Sequence, residues 1–113
     1  MSKKIVILGA GESGSGTALL AKKEGFQVFV SDQGIIPNST KNRFESLGVE
    51  WEEKTHTLSK MQDAQYIMKS PGISDNTPIV QSLKSIEIPV ISEIEFASKF
   101  TNATLIGITG SNG

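Results

Sequence analysis

The residues best suited to chemistry in this 113-residue chain lie where an apolar run, Ile5-Val6-Ile7-Leu8, turns without a linker into Gly9-Ala10-Gly11-Glu12-Ser13-Gly14. A Gly-x-Gly-x-x-Gly turn between a strand and a helix suits a diphosphate. The first glycine permits the tight turn, the second has no Cβ to keep a phosphate off the backbone, and the third lets the helix pack closely on the strand. Free N–H groups and the helix dipole at that N-terminus both favour negative charge. Asp32 closes a second apolar run, Phe26 to Val30, about 21 residues after Gly11, near the spacing of an acid that reads a nucleoside. The plainer reading is an empty structural turn with Asp32 as a strand-end turn residue; the strand before the loop and the helix after it favour nucleotide binding.

Two further glycine-containing turns follow apolar runs. Ser70-Pro71-Gly72-Ile73 comes after Tyr66-Ile67-Met68-Lys69, and Gly110-Ser111-Asn112-Gly113 comes after Thr104-Leu105-Ile106-Gly107-Ile108-Thr109. The turn at Gly110 resembles the front half of a P-loop, without the lysine and hydroxyl residue that would contact phosphate and Mg²⁺. This predicts an N-terminal piece of a longer protein, with residues 1–103 as one domain and 104–113 as the first strand and P-loop start of the next. Cut from its own sheet, that last strand is expected to have an unpaired edge that is either mobile or captured by a neighbouring molecule.

Other polar residues have simpler explanations. His56, the only histidine, stands between two threonines without a second ligand at metal spacing, so it reads as a solvent-exposed loop residue. Ser13 reads as a cap of the first helix that can also touch phosphate. Ser70 is equally a turn former or a site residue. Glu93 and Glu95 follow Ser92 with capping-box spacing, which explains them as helix-start charges rather than a catalytic carboxylate pair. Trp51 and Phe100 read as packing residues.

The elements that must position these residues alternate along the chain. The pattern predicts a helix over Thr17–Glu24 stopped by Gly25, a strand over Phe26–Val30, and a short helix from Thr40 to Leu47 stopped by Gly48. Val49-Glu50-Trp51-Glu52 reads as a strand near the sheet edge, with Val49 and Trp51 inward. Leu58 to Asp63 reads as a brief helix, and Tyr66–Lys69 as a fourth strand. Thr77-Pro78 opens a helix with an apolar stripe of Ile79, Val80, Leu83 and Ile86. Pro89 limits the strand Ile88–Ile91 to an edge or to its start. The helix after Ser92 places Ile94, Ala97 and Phe100 on one face. The sum is an α/β chain: a Rossmann-like, doubly wound parallel sheet of about five strands with flanking helices. Ligands bind such sheets beyond the carboxyl ends of the strands, at the switch point, which puts Gly9–Gly14, Asp32 and Ser70–Gly72 on one rim.

Composition excludes several classes. A net charge of −1 with scattered Lys and Arg argues against nucleic acid and anionic membranes. Lys3-Lys4 before Ile5–Leu8 resembles a secretory signal only superficially, because Glu12 and the glycines interrupt its apolar region. No run approaches the ~20 apolar residues of a membrane span. The absence of cysteine fits a reducing compartment, and a cytoplasmic monomer is the expectation.

Taken together, Gly9–Gly14, Ser31-Asp32, Ser70-Pro71-Gly72-Ile73 and Ile108–Gly113, in that order and spacing, resemble the N-terminal domain of the bacterial Mur ligases. The Ser-Pro-Gly-Ile turn favours the D-glutamate-adding member. The resemblance implies a domain that holds the uridine nucleotide of UDP-N-acetylmuramoyl-L-alanine. A central domain would bind ATP with Mg²⁺, and a C-terminal domain would bring the amino acid. It implies substrate binding by Gly11, Glu12, Ser13 and Gly14 at the diphosphate, Asp32 and Gln33 beside the uracil, and Ser70 and Gly72 across from them. Gly110, Ser111, Asn112 and Gly113 would begin the ATP site, with no catalytic residue and no metal in this stretch, which alone would be inactive. Gly34 stands where relatives can place an arginine, a role open to Lys41 or Arg43. Two other readings stand beside this one: the cofactor domain of an NAD-dependent dehydrogenase, and a non-catalytic nucleotide-sensing domain.

Overall fold

The computed structural model describes residues 3–99; the expected sixth strand, the P-loop start and Phe100 lie outside them. The chain runs β1 (Lys4–Leu8), α1 (Glu12–Lys23), β2 (Gln27–Asp32), α2 (Asn38–Leu47), β3 (Glu50–Glu53), a 3-10 turn (Leu58–Lys60), β4 (Tyr66–Lys69), α3 (Pro78–Ser85), β5 (Val90–Ile91) and α4 (Glu93–Ser98). All five strands are parallel, in the order β3-β2-β1-β4-β5. The chain therefore winds outward from β1 to β3 and crosses back to β4, which leaves the switch point between β1 and β4.

Alternation along β1 divides the core into two layers, because successive strand residues face opposite ways. Ile5 and Ile7, with Val28 and Val30 of β2, join Ala18 and Ala21 of α1, Phe44 of α2 and Phe96 of α4. Val6 and Leu8, with Phe29, join Met61 and the Ile79, Val80 and Leu83 of α3. Full burial of one such aliphatic side chain contributes roughly 1.5–3 kcal/mol. The ion pair Lys4–Asp63, at 2.8 Å with its carboxylate largely exposed, belongs to a class worth about 0–1 kcal/mol, so the two apolar layers hold the sheet.

The strand and helix order matches the expectation, and the departures have local causes. The first helix begins at Glu12 instead of Thr17, inside the glycine motif. Gly9, with φ +99°, reverses the chain so sharply that the helix can start three residues later. Pro37 takes the N-cap position of α2, which begins at Asn38, and Gly48 ends that helix in the left-handed region at φ 75°. The capping box at Ser92 forms in full. Its helix, however, buries Phe96, which meets Phe26 edge-on at 5.4 Å, whereas Ile94 is 72% exposed. Four residues of separation from Ser92 carry Phe96 back over α1, and Ile94 faces outward. Ile86 is likewise exposed, since α3 stops at Ser85. Trp51 packs on Phe44 at 6.3 Å, as expected of an edge aromatic.

Gly14 fixes how closely α1 approaches the sheet. A Cβ on it would collide with the backbone carbonyl of Gly9 and press on Ile7. Gly16, two residues on in the same helix, has nothing within 4 Å of that position. Gly14→Ala should therefore destabilise the fold by about 2–3 kcal/mol through overpacking. Gly16→Ala should stabilise it by about 0.5–1 kcal/mol through helix propensity. Urea denaturation of the two variants checks the pair, and equal effects would contradict the packing argument.

Candidate nucleotide-binding site

The loops after β1, β2 and β4 converge on a cleft of about 710 Å³ at the carboxyl rim of the sheet. Gly11, Glu12, Ser13, Asp32, Gln33, Ser70 and Gly72 all line it. Gly14, expected beside them, lies under the loop, where its role is the packing just described.

Gly9 is needed by the backbone itself: its φ is positive, and a Cβ would stand 2.7 Å from the Ser70 Oγ. Gly11 and Gly72 differ. Neither has a positive φ, and a Cβ on either would meet nothing within 4 Å. Gly11 sits at φ −71°, ψ −165°, which any residue adopts. The chain's own side-chain packing gives no reason for glycine at these two cleft positions, and without a Cβ the backbone there is open to close approach.

Gly11 is also the N-cap of α1, and a glycine offers no side chain to cap the first turn. The first intrahelical bond of the turn runs from the Ser15 amide to the Gly11 carbonyl at 2.8 Å. The amides of Glu12, Ser13 and Gly14 thus precede the helical ladder. Ser13 lies within the helix rather than capping it, and its hydroxyl donates to Glu93 Oε1 of α4 at 2.5 Å.

Asp32 holds the rim together. One carboxylate oxygen accepts from the Ala10 amide and the other from the Gly34 amide, both at 2.8 Å. The Gly9 amide donates to the Ser31 carbonyl, again at 2.8 Å. The glycine turn of β1 is therefore tied at two successive residues to the end of β2. Of the cations considered for the position of Gly34, Lys41 is engaged by Glu53 at 2.9 Å. Arg43 borders a groove that continues past Ala10, Gly11 and Glu12.

A polar cluster that the sequence did not suggest forms the wall behind Asp32. Ser31 is fully buried, and its Oγ lies 2.8 Å from Glu52 Oε2, 3.1 Å from the Thr55 carbonyl and 2.7 Å from His56 Nδ1. Glu52 also accepts from the amide and hydroxyl of Thr57, both at 2.7 Å. Burial raises the Glu52 pKa, but these bonds from Thr57 and Ser31, aided by the charge of Lys60, outweigh it and hold the carboxyl below its ordinary value. His56 corrects the solvent-exposed reading: it is half-buried and lines the cleft. Burial lowers its pKa against the opposing charges of Glu52 and Asp32, so the ring is held toward its neutral form. The missed signal was register. Glu52 pairs across the ladder with Ser31, which turns the following loop back over the end of β2.

Among the described residues no group of carboxylates and histidines gathers to hold a metal ion, and no helix is long and apolar enough to cross a membrane.

A family model of the MurD N-terminal domain matches residues 4–79. The chain is 57% identical over 113 residues to the UDP-N-acetylmuramoylalanine--D-glutamate ligase of Christiangramia forsetii, covering all of this chain and 25% of that protein. To the ligase of the same name from Bacteroides thetaiotaomicron it is 51% identical over 111 residues, again 25% of the relative. The chain thus spans about a quarter of the length of the curated relatives it matches. Among solved structures, a murein peptide ligase from Psychrobacter arcticus superposes with TM-score 0.78 at 24% identity, over 88% of this chain and 21% of that one. A pseudomurein peptide ligase from Methanothermus fervidus gives 0.74 at 29% identity, over 88% and 20%. These likenesses agree with the parallel five-stranded fold.

The Glu52 cluster has a pH signature. Its folded-state pKa lies below the ordinary value of 4.5, so its contribution to stability is present above that value and lost as pH falls through the lower folded one. Glu52→Gln should cost stability at pH 7, by about 1 kcal/mol for a partly exposed, hydrogen-bonded carboxylate. The gap from the unmutated chain should close as pH is lowered below about 4.5. Urea unfolding of both proteins between pH 7 and pH 3 measures it; a constant gap would show that Glu52 does not act through its charge.

Proposed function

The chain belongs to the MurD N-terminal domain family, and from that premise we propose that it binds the uridine nucleotide of UDP-N-acetylmuramoyl-L-alanine. In this reading it is the nucleotide-binding domain of a ligase that adds D-glutamate in cytoplasmic peptidoglycan precursor synthesis. The observation that carries it is the pair Gly11 and Gly72: neither side-chain packing nor a positive φ calls for glycine at either position, and both line one cleft at the switch point.

The geometry supports the following roles within this reading. The diphosphate sits against the amides of Glu12 and Ser13 at the start of α1, where Gly11 admits it to the backbone. Arg43, alongside the loop, supplies the cation that Gly34 cannot. The nucleoside lies over Asp32 and Gln33, with Ser70 and Gly72 on the far wall. For a phosphate to take the Ser13 hydroxyl, the hydrogen bond to Glu93 must open, so the ligand exchanges one acceptor for another at that atom. ATP with Mg²⁺ would supply carboxylate activation from parts of the ligase beyond residues 3–99. The residues described here bind and orient.

Thermal unfolding with UDP tests the reading. At 100 times its dissociation constant a ligand adds about 2.7 kcal/mol, a shift of many degrees for a domain of this size. UDP should raise the Tm, and NAD⁺ and ATP should not. Gly11→Ala should cost the unliganded fold about 1 kcal/mol or less, as a glycine-for-alanine exchange at an N-cap, and remove most of the UDP shift. Arg43→Ala should weaken UDP several-fold, in line with a charge-assisted bond. A shift with NAD⁺ and none with UDP would replace this reading with a dehydrogenase cofactor domain, and a Gly11→Ala variant that binds UDP normally would remove the diphosphate from this loop.

A further inference from the structure

We propose that His56 is a specificity-determining residue of this cleft: the Ser31–Glu52 pair holds it as the Nδ1–H tautomer, so that Nε2 presents a hydrogen-bond acceptor to an N–H or O–H donor of the bound nucleoside. The proposal deepens the nucleotide reading and rests on it.

The tautomer follows from counting protons. The Ser31 hydroxyl has one hydrogen and meets three polar atoms, Glu52 Oε2 at 2.8 Å, the Thr55 carbonyl at 3.1 Å and His56 Nδ1 at 2.7 Å. Carboxylate and carbonyl oxygens only accept. Ser31 must therefore direct its proton to them, with the ionised Glu52 the stronger and closer partner. Its own lone pairs then face Nδ1, and a 2.7 Å contact is attractive only if Nδ1 carries a hydrogen. Glu52 cannot rotate to relieve this, because the Thr57 amide and hydroxyl hold both of its oxygens. In a neutral imidazole, a hydrogen on Nδ1 leaves Nε2 bare. The lowered pKa of His56 agrees with the neutral ring.

Nε2 is also open to a ligand. No protein group among the described residues bonds it, and the buried side-chain polar atom left without a partner is the Thr17 hydroxyl, not this nitrogen. The ring lines the same cleft as Asp32 and Gln33. Asp32, the acceptor expected to read the base, already takes an amide on each oxygen. A neutral acceptor beside it complements a base N–H or a ribose hydroxyl without adding negative charge opposite a diphosphate.

Because the chain has a single histidine, its imidazole nitrogens can be read directly by ¹⁵N NMR. The expected spectrum of the free protein at neutral pH shows hydrogen on Nδ1 and a bare Nε2, and UDP shifts the Nε2 resonance. His56→Asn keeps an N–H within reach of Ser31 and deletes the Nε2 acceptor; it should keep the Tm and weaken UDP roughly five- to tenfold. His56→Gln, which returns a carbonyl at the reach of Nε2, should recover most of that loss. Uridine diphosphate methylated at the base N3 and its 2′-deoxy analogue separate the two donors: the analogue that lacks the true partner should bind wild type and His56→Asn equally. An Nε2–H tautomer overturns the proposal whatever UDP does. UDP that shifts the Gly11–Gly14 amides but leaves Nε2 unmoved overturns it and spares the nucleotide reading. UDP that shifts nothing removes both.

Discussion

The arrangement of this rim depends on how closely the first turn of α1 sits against the end of β1. That distance is set by the absence of a Cβ at Gly14, whose place the Gly9 carbonyl already takes. Gly9 supplies the complementary half by reversing the chain at a φ open to glycine. The chain accepts two glycines within one helix, each costing about 0.5–1 kcal/mol against alanine. Only at Gly14 does packing offset that loss. With α1 seated this close, its leading amides reach the rim of the sheet, and a helix begun one turn later would withdraw them into the body of the domain.

The end of β2 then divides the rim between two faces. Ser31 and Asp32 are neighbours, so their side chains leave the strand in opposite directions. Asp32 turns toward the α1 and α2 face, where it binds the Ala10 and Gly34 amides. Its ladder partner Glu53 takes the Ile36 amide and Lys41 on the same side. Ser31 turns toward the α3 face and meets its own partner Glu52, with Thr57 and His56 behind it. One dipeptide therefore anchors three loops. The cleft has walls from both faces because the strand alternates at the point where it ends.

Much of this was legible in the sequence, and the limits have physical reasons. The doubly wound parallel sheet followed from alternating strands and helices, since parallel crossovers leave few topologies, whereas the order β3-β2-β1-β4-β5 came from the structure. Glycine loop, Asp32 and Ser70–Gly72 fell on one rim because loops after parallel strands share an end of the sheet. Helix boundaries were less legible. Glycines ordinarily stop helices, and nothing local says that Gly14 and Gly16 lie within one. The face of α4 was misread because capping residues set where a helix starts but not which side meets its neighbour; Phe96 is chosen by Phe26, seventy residues away. His56 was misread for the same reason. Flanking threonines resemble a polar loop, and only the Ser31–Glu52 register brings that loop under cover.

Charge alone would not make this cleft an anion site. Glu12, Asp32 and Glu93 stand around it, and the chain carries a net charge of −1. An exposed charge at a helix N-terminus gains typically 0.3–1 kcal/mol, while one like charge about 4 Å away in water costs about 1 kcal/mol. The long-range terms nearly cancel. What remains is contact: backbone amides that can be approached because Gly11 and Gly72 carry no side chain, and carboxylates whose oxygens are already turned to amides and hydroxyls of the protein. Asp32 directs its charge to the Ala10 and Gly34 amides, and Glu93 accepts from the Ser13 hydroxyl, so neither of these two carboxylates faces the cleft unpaired. An anion on this rim would therefore be recognised by shape and by hydrogen-bond direction, which are short-ranged and survive physiological salt better than a field does.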